Sequence, residues 1–412
     1  MKLTKSIIIS LLFGIIFGGL VRNILHYDNY TNNLLDSLSL ISEIFINLIK
    51  MIVAPLIFTT LTLGIINIGN SAKGVGKLFI KCLVFFLISS LLSLSIGWII
   101  VDLFKPGLEM SKYAHDLIGV VNKNNTGLNF NGISLINFVR DMVPSNIMGA
   151  FTGNHIIQIV IFSILLGFAL NSMNIQDVDI IKRLLNAIMN AMFIICNFVM
   201  KLVPLAIFAS ISHVIIKNGF GVLYTYLLFI LEYYIALIIV WLSLYLLSLK
   251  IVGKSIHKLL IKIFPALALS FVTTSSEVAY PSILKELDNF GVKNKISSFV
   301  LPLGYSFNMI GSMVYFSFAM IFLVQVFAIK ISFYQQLYIF FVLLITSKGI
   351  AGVPRASIMV IASAVSIFQF PAASILLLLP IDSFADMGRS ATNVFANALT
   401  STFIDKWQKD KE

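Results

Sequence analysis

Four polar side chains stand where the chain is otherwise apolar enough to cross a membrane. In Asp382-Ser383-Phe384-Ala385-Asp386-Met387-Gly388-Arg389-Ser390-Ala391-Thr392-Asn393, the residues Asp382, Asp386, Arg389 and Asn393 recur at spacings of four, three and four. Helical periodicity puts all four on one face. A charge at membrane depth costs roughly 2.5–3.5 kcal/mol on insertion scales, so a cavity, a partner or a ligand must hold it there. A face that offers anions, a cation and an amide suits a zwitterion carrying a carboxylate. Asp386 can meet an amino group, and the planar Arg389 fork can take a carboxylate through two parallel bonds. A purely structural Asp386–Arg389 ion pair is the competing reading. It ranks below binding because a buried pair is a weak stabiliser.

The elements that must position this face are membrane spans. Of 412 residues, 58% are hydrophobic and only 11% charged, with mean hydropathy +0.97. A soluble domain carries about 25% charged residues. The chain therefore reads as an all-α polytopic membrane protein whose first partner is the bilayer. The formal charge of +11 is no nucleic-acid signature, because the lysines fall in short loops and act as topology signals. Cys82 and Cys196 lie in apolar runs and read as buried free thiols. His26, His115, His155, His213 and His257 have no metal-binding spacing. No nucleotide loop, metalloprotease motif or nucleophile–base set is present, so neither an enzyme nor a cofactor or metal site is expected. Lys2 and Lys5 precede an apolar run, but Arg22 and Asn23 follow it rather than a cleavage site, which predicts an uncleaved first helix. Its Gly14-x-x-x-Gly18 spacing is read equally as helix packing or as chance.

A span needs about 20 apolar residues. Spans are expected near 6–25, 41–68, 78–104, 184–216, 222–250, 296–328 and 372–404, with a broken helix near 133–172. Two apolar regions, 256–289 and 331–370, are cut by polar centres: Thr273-Thr274-Ser275-Ser276-Glu277 with Pro281, and Ser347-Lys348-Gly349-Ile350-Ala351-Gly352-Val353-Pro354. With eight full spans, the lysine clusters at 2–5, 73–81, 182–183, 250–262 and 406–411 fall on one side. The positive-inside rule makes that side cytoplasmic, with both termini there. The two interrupted regions must then enter and leave on one face, as re-entrant hairpins. Irregular backbone at that depth has to line a wet cavity or be buried in protein, and paired broken segments point to a transporter site.

From about Ser270 to Ile404 the chain resembles the dicarboxylate/amino acid:cation symporter family, which includes the glutamate transporters. The matching motifs are the serine-rich tip with Pro281, Leu303-Gly304-Tyr305-Ser306-Phe307-Asn308-Met309, Ala351-Gly352-Val353-Pro354 and Asp386-Met387-Gly388-Arg389. Ile49 to Pro55 and Val143-Pro144-Ser145-Asn146 extend the likeness more loosely. The resemblance implies eight transmembrane helices plus two re-entrant hairpins in the glutamate-transporter elevator fold, assembled as a homotrimer in the cell (inner or plasma) membrane. Residues 1–76 would supply scaffold helices, 77–104 a transport-domain helix, 105–132 an external loop and 133–217 further scaffold helices. Residues 218–412 would complete the transport domain, with hairpins at about 256–289 and 331–370.

The resemblance also implies roles. Arg389 would hold a substrate side-chain carboxylate, Asp386 the amino group and Asn393 the main-chain carboxylate. Ser390, Ser276, Val353, Met309 and Ser312 would line the pocket, and Asp382 would support cation binding. Gly304, Asn308 and Asn393 would form one cation site; Ser306, Ser347 and Ile350 would form another. Sodium-coupled members carry acids where this chain has Asn397 and Ile310, and usually a tyrosine where Phe86 sits beside Ser89 and Ser90. Losing carboxylates weakens a site for a hard cation. Glu277 is placed to carry a proton, or to serve simply as a helix-capping acid. Lys348 either mimics a bound cation or snorkels to water. Together, Glu277, Lys348 and Asn397 resemble the proton-coupled bacterial branch, so the expected coupling ion is H+, with Na+ as the alternative. Ile310, Tyr280 and Arg355 have no account in that pattern.

The reading is a proton-coupled importer of acidic amino acids. The alternatives are the same fold carrying C4-dicarboxylates or neutral or sulfur-containing amino acids, and a gated anion channel or transport-dead sensor.

Overall fold

With no water to satisfy the backbone in a bilayer, long apolar runs form helices. Among the described residues, every regular element in the computed structural model is helical. The structure describes residues 2–24, 29–69, 76–111, 143, 145–153, 156–347, 356–368, 370–371 and 374–409. The helices are α1 (Lys2–Ile24), α2 (Asn29–Gly69), α3 (Gly76–Phe104), α4 (Ile147–Thr152), α5 (Ile156–Asn171), α6 (Ile175–Lys201) and α7 (Val203–Asn218). They continue as α8 (Gly221–Ile251), α9 (Ile256–Thr273), α10 (Tyr280–Phe290), α11 (Asn294–Phe307), α12 (Ile310–Val326), α13 (Phe333–Thr346), α14 (Ala356–Ile367) and α15 (Ser374–Lys409). Most of the expected loop at 105–132 and the centre of the second interrupted region lie outside the described residues.

Two packed groups emerge. In one, α1 lies along α7, and α2 packs on α5, α6 and α7. Gly14 and Gly18 sit at the α1–α7 crossing, where an added Cβ at Gly18 would meet Ile215 Cβ at 2.9 Å. The GxxxG spacing is therefore a packing motif here. Arg22 donates to the Lys217 carbonyl at 3.0 Å and the Ile216 carbonyl at 3.2 Å, placing a cation on the C-terminal end of α7. In the other group, α12 packs on α3, and α15 packs on α8, α9, α11 and α12. Phe229 of α8 meets Phe318 and Phe322 of α12 edge-on, and Tyr233 meets Tyr315. Every α12 residue except Gln325 is buried. The groups meet where α2 touches α14, α5 touches α13 and α7 touches α15.

Two expected spans are divided. The run 184–216 breaks at Leu202, with Pro204 in the first turn of α7. The run 296–328 breaks at Asn308 (φ −121°, ψ 60°) and Met309 (φ −90°, ψ 65°). Length marked neither break, because the equally long run 372–404 forms the single helix α15. The first interrupted region folds as α9, a turn with left-handed Thr274 (φ 55°), a short 3-10 turn over Glu277–Ala279, and α10. The arms α10, α13 and α14 have 11, 14 and 12 residues. At 1.5 Å per residue, 14 residues reach about 21 Å, short of a hydrocarbon core of about 30 Å.

Candidate functional site

The polar face of α15 is wholly buried: Asp382 is 0% exposed, and Asp386 and Arg389 are each 2% exposed. Periodicity alone brings these side chains together, and the structure adds their pairing. Arg389 Nε donates to Asp386 Oδ1 at 2.8 Å, and Arg389 Nη1 donates to Asp382 Oδ1 at 3.2 Å. The Ser390 hydroxyl donates to Asp386 Oδ1 at 3.3 Å. The ion pair ranked second from sequence is thus present. It does not exhaust the cluster, because Arg389 Nη2 and Asp382 Oδ2 are buried with no hydrogen-bond partner. The Tyr315 ring covers the guanidinium at 5.0 Å, a cation–π contact that sequence reading missed. Two acids and one base leave a formal charge of −1 in the protein interior.

Asn393 reaches the break before α12. Its Oδ1 accepts from the Gly311 amide at 2.8 Å and the Ser312 amide at 3.4 Å, and its Nδ2 donates to Ser312 Oγ at 3.2 Å. These first amides of α12 have no intrahelical partners and form the positive end of that helix. One of the two Asn393 Nδ2 protons remains for another acceptor. An added Cβ at Gly311 would meet Arg389 O at 2.5 Å and Arg389 Cα at 2.8 Å, so α12 and α15 touch backbone to backbone there. Tyr233 holds the same turn by donating to the Gly311 carbonyl at 3.3 Å. Its pairing with Tyr234 in an apolar span was the available signal. Met309, 5% exposed, stands in the break. The first hairpin-like turn closes on this region: Ser276 Oγ donates to the Ser390 carbonyl at 3.3 Å. Glu277 opens the 3-10 turn and is exposed.

A second polar knot lies next to the first. Asn308 Nδ2 donates to Asn397 Oδ1 at 2.9 Å and to Thr400 Oγ1 at 3.3 Å, while Ser89 Oγ of α3 donates to Asn308 Oδ1 at 2.8 Å. Gly304 is pressed against the Asn397 side chain. Gly304, Asn308 and Asn397 therefore come together, with Thr400 an addition that the sequence pattern did not single out. Phe86 is packed with Cys82, Ile296, Val300 and Ile404, and Ile310 is buried at 1% exposure. Breaking a helix frees carbonyls of its last turn, which is what a cation site built on α11 requires. Ser347 ends α13 and is buried. Ser306 lies in α11, but its side chain, together with Lys348, Ile350, Val353 and Arg355, lies outside the described residues.

Comparison with known proteins gives the arrangement a relationship. The model of the sodium:dicarboxylate symporter family matches residues 3–407. The chain is 30% identical to the proton/glutamate-aspartate symporter of Escherichia coli (strain K12), over 97% of this chain and 92% of that protein. It is 32% identical to the C4-dicarboxylate transport protein of Laribacter hongkongensis (strain HLHK9), over 99% of this chain and 90% of that protein. It is 29% identical to the proton/sodium-glutamate symport protein of Bacillus subtilis (strain 168), over 98% and 92%.

Proposed function

Since this chain belongs to the sodium:dicarboxylate symporter family, we propose that it imports acidic amino acids by proton symport. Family membership and, among the described residues, four helical stretches long and apolar enough to cross a membrane fit a multi-pass membrane transporter. The observation that carries the substrate reading is the buried Arg389 with Nη2 unpartnered, flanked by Asp386. The unpartnered Nη2 offers a donor to a side-chain carboxylate. Asp386 takes the amino group, and the spare Asn393 Nδ2 proton together with the α12 amide end attracts the main-chain carboxylate. Ser390, Ser276, Met309, Ser312 and Val353 line the same pocket in this reading.

Charge explains why a cation must travel with the substrate. The cluster sums to −1, and glutamate or aspartate at neutral pH also sums to −1. Placing both in a site shielded from water is unfavourable unless positive charge enters too. Charged ligands for sodium are replaced by Asn397 and Ile310 in this reading, which leaves a proton as the economical counter-charge. Glu277 at the exposed turn is the proposed carrier: protonated, it adds no further negative charge to the −2 of cluster and substrate, while Lys348, standing in for a cation, offsets one of those charges and Asp382 supports the cluster.

The two packed groups correspond, in the same proposal, to a static scaffold and a moving transport domain. The hairpins 256–289 and 331–370 gate the site within a homotrimer in the inner membrane, with both termini cytoplasmic. The one other reading favoured by an observation is C4-dicarboxylate transport, because a relative at 32% identity bears that name. Asp386 argues against it, since a substrate without an amino group leaves that acid facing carboxylates. Competition by succinate against labelled aspartate separates the two: weak competition supports amino-acid transport, and equal competition supports dicarboxylate transport.

A further inference from the structure

Behind the polar face of α15 lies a cavity of about 560 Å³, bounded by α8, α9 and the back of α15. Trp241, Leu242, Phe264, Leu267, Phe271 and Gly388 are among its walls. The polar atoms at its edge are already committed: Trp241 Nε1 donates to Thr392 Oγ1 at 2.8 Å, and the Tyr234 hydroxyl donates to the Phe384 carbonyl at 2.8 Å. A polar solute gains nothing in such a space, and water needs two to four polar partners to stay. The occupant must be apolar.

Its mouth opens onto an exposed apolar surface. Ile238, Leu242 and Phe264 are exposed at 56%, 54% and 64%, and the same apolar surface continues along α8 through Leu231 and Leu246. The cavity's lining ends at Leu242 and Phe264; beyond them α8 and α9 converge on the turn that joins them, where the Tyr245 hydroxyl lies 3.2 Å from His257 Nδ1. That end carries Lys250, Lys254, Lys258 and Lys262, all exposed, and between Glu232 and Glu277 the sequence contains no acid. From Leu242 to its end at Ile251, α8 runs nine residues, or about 14 Å at 1.5 Å per residue. One leaflet of a bilayer fills about half of a hydrocarbon core of about 30 Å. A chain anchored at the lysines thus ends level with the cavity.

We propose that this cavity binds one acyl chain of an anionic membrane phospholipid, with its phosphate at the lysine-bearing α8–α9 turn and its chain end against Gly388. Lysines near a membrane surface attract anionic headgroups, and the run of α8 from Leu242 to Ile251 supplies the length match. Gly388, which precedes Arg389, is itself among the cavity's walls, so the helix that carries the polar face bounds the cavity. The bound chain therefore buttresses the helix that carries Asp386 and Arg389. This site is independent of which substrate or coupling ion the transporter uses.

The chain has three tryptophans, and Trp241 lines the cavity. The full-length protein with Trp98→Phe and Trp407→Phe, reconstituted in phosphatidylcholine, makes Trp241 the reporter. Brominated phosphatidylglycerol should quench it at about tenfold lower mole fraction than brominated phosphatidylcholine. Lys250→Gln, Lys254→Gln and Lys258→Gln together should erase that preference. Ala268→Phe, which fills the cavity from α9, should remove the deep quenching by either lipid. Equal quenching by the two lipids, or quenching unchanged by both sets of substitutions, overturns the proposal. So does retention of a non-lipid apolar molecule that phosphatidylglycerol cannot displace.

Discussion

Asn308 Nδ2 donates to Asn397 Oδ1 at 2.9 Å, tying the break between α11 and α12 to the buried end of α15. Both side chains are amides, so the knot is neutral, and the remaining Asn397 donor, Nδ2, has no partner. A hard cation seeks charged oxygen, and an amide–amide bond offers little reason for sodium to shed its water. Asn397→Asp returns a carboxylate to that place. The variant is expected to show sodium-stimulated uptake that the parent lacks, read as the ratio of uptake in sodium to uptake in choline. A ratio unchanged from the parent would contradict the neutral-knot account.

Arg389 is predicted to set acidic selectivity. Arg389→Cys leaves a substrate carboxylate unpaired in a buried site, at a cost of roughly 3–5 kcal/mol, or more than about 100-fold in affinity. It also leaves Asp382 and Asp386 without their shared partner. Binding titration with aspartate and with a neutral amino acid checks this. Parent-like aspartate affinity in the variant would remove Arg389 from the substrate site.

Much of this site was legible in the sequence, for a physical reason. Charges are so costly in an apolar helix that Asp382, Asp386 and Arg389 stand out, and helical period alone gathers them on one face. What period cannot show is which atoms pair across helices. The Asn393 contact with the Gly311 amide depends on a break at Asn308–Met309, where neither glycine nor proline marks the interruption. The run around it reads as one apolar span. The split at Leu202 was hidden in the same way, although Pro204 lay beside it. Tyr315 over Arg389 was also invisible, because an aromatic residue in an apolar helix is ordinarily core.

Gly311 is predicted to admit no side chain. The backbone of Arg389 stands where its Cβ would go, and overpacking of this kind costs about 1–3 kcal/mol. Gly311→Ala should lower the melting temperature of the detergent-solubilised protein and depress uptake, because α12 must move away from α15. Melting and uptake equal to the parent would show that the two helices are looser than the geometry indicates.

Glu277 is predicted to link transport to pH. Uptake should rise as external pH falls, since a proton taken up by Glu277 removes the negative charge that this side chain would otherwise add to a site and substrate that are already negative. Glu277→Gln, fixed in a neutral form, should flatten the pH profile or abolish uptake. A variant with full uptake and the parent's pH profile would move the proton site elsewhere.

The central claim is that an acidic amino acid enters with protons and not with an obligatory sodium ion. The most direct measurement is uptake of labelled aspartate and glutamate into proteoliposomes under separately imposed proton and sodium gradients, with choline replacing sodium. The account predicts accumulation driven by an inward proton gradient in choline, and little accumulation from a sodium gradient alone. An absolute sodium requirement with no response to the proton gradient would contradict it.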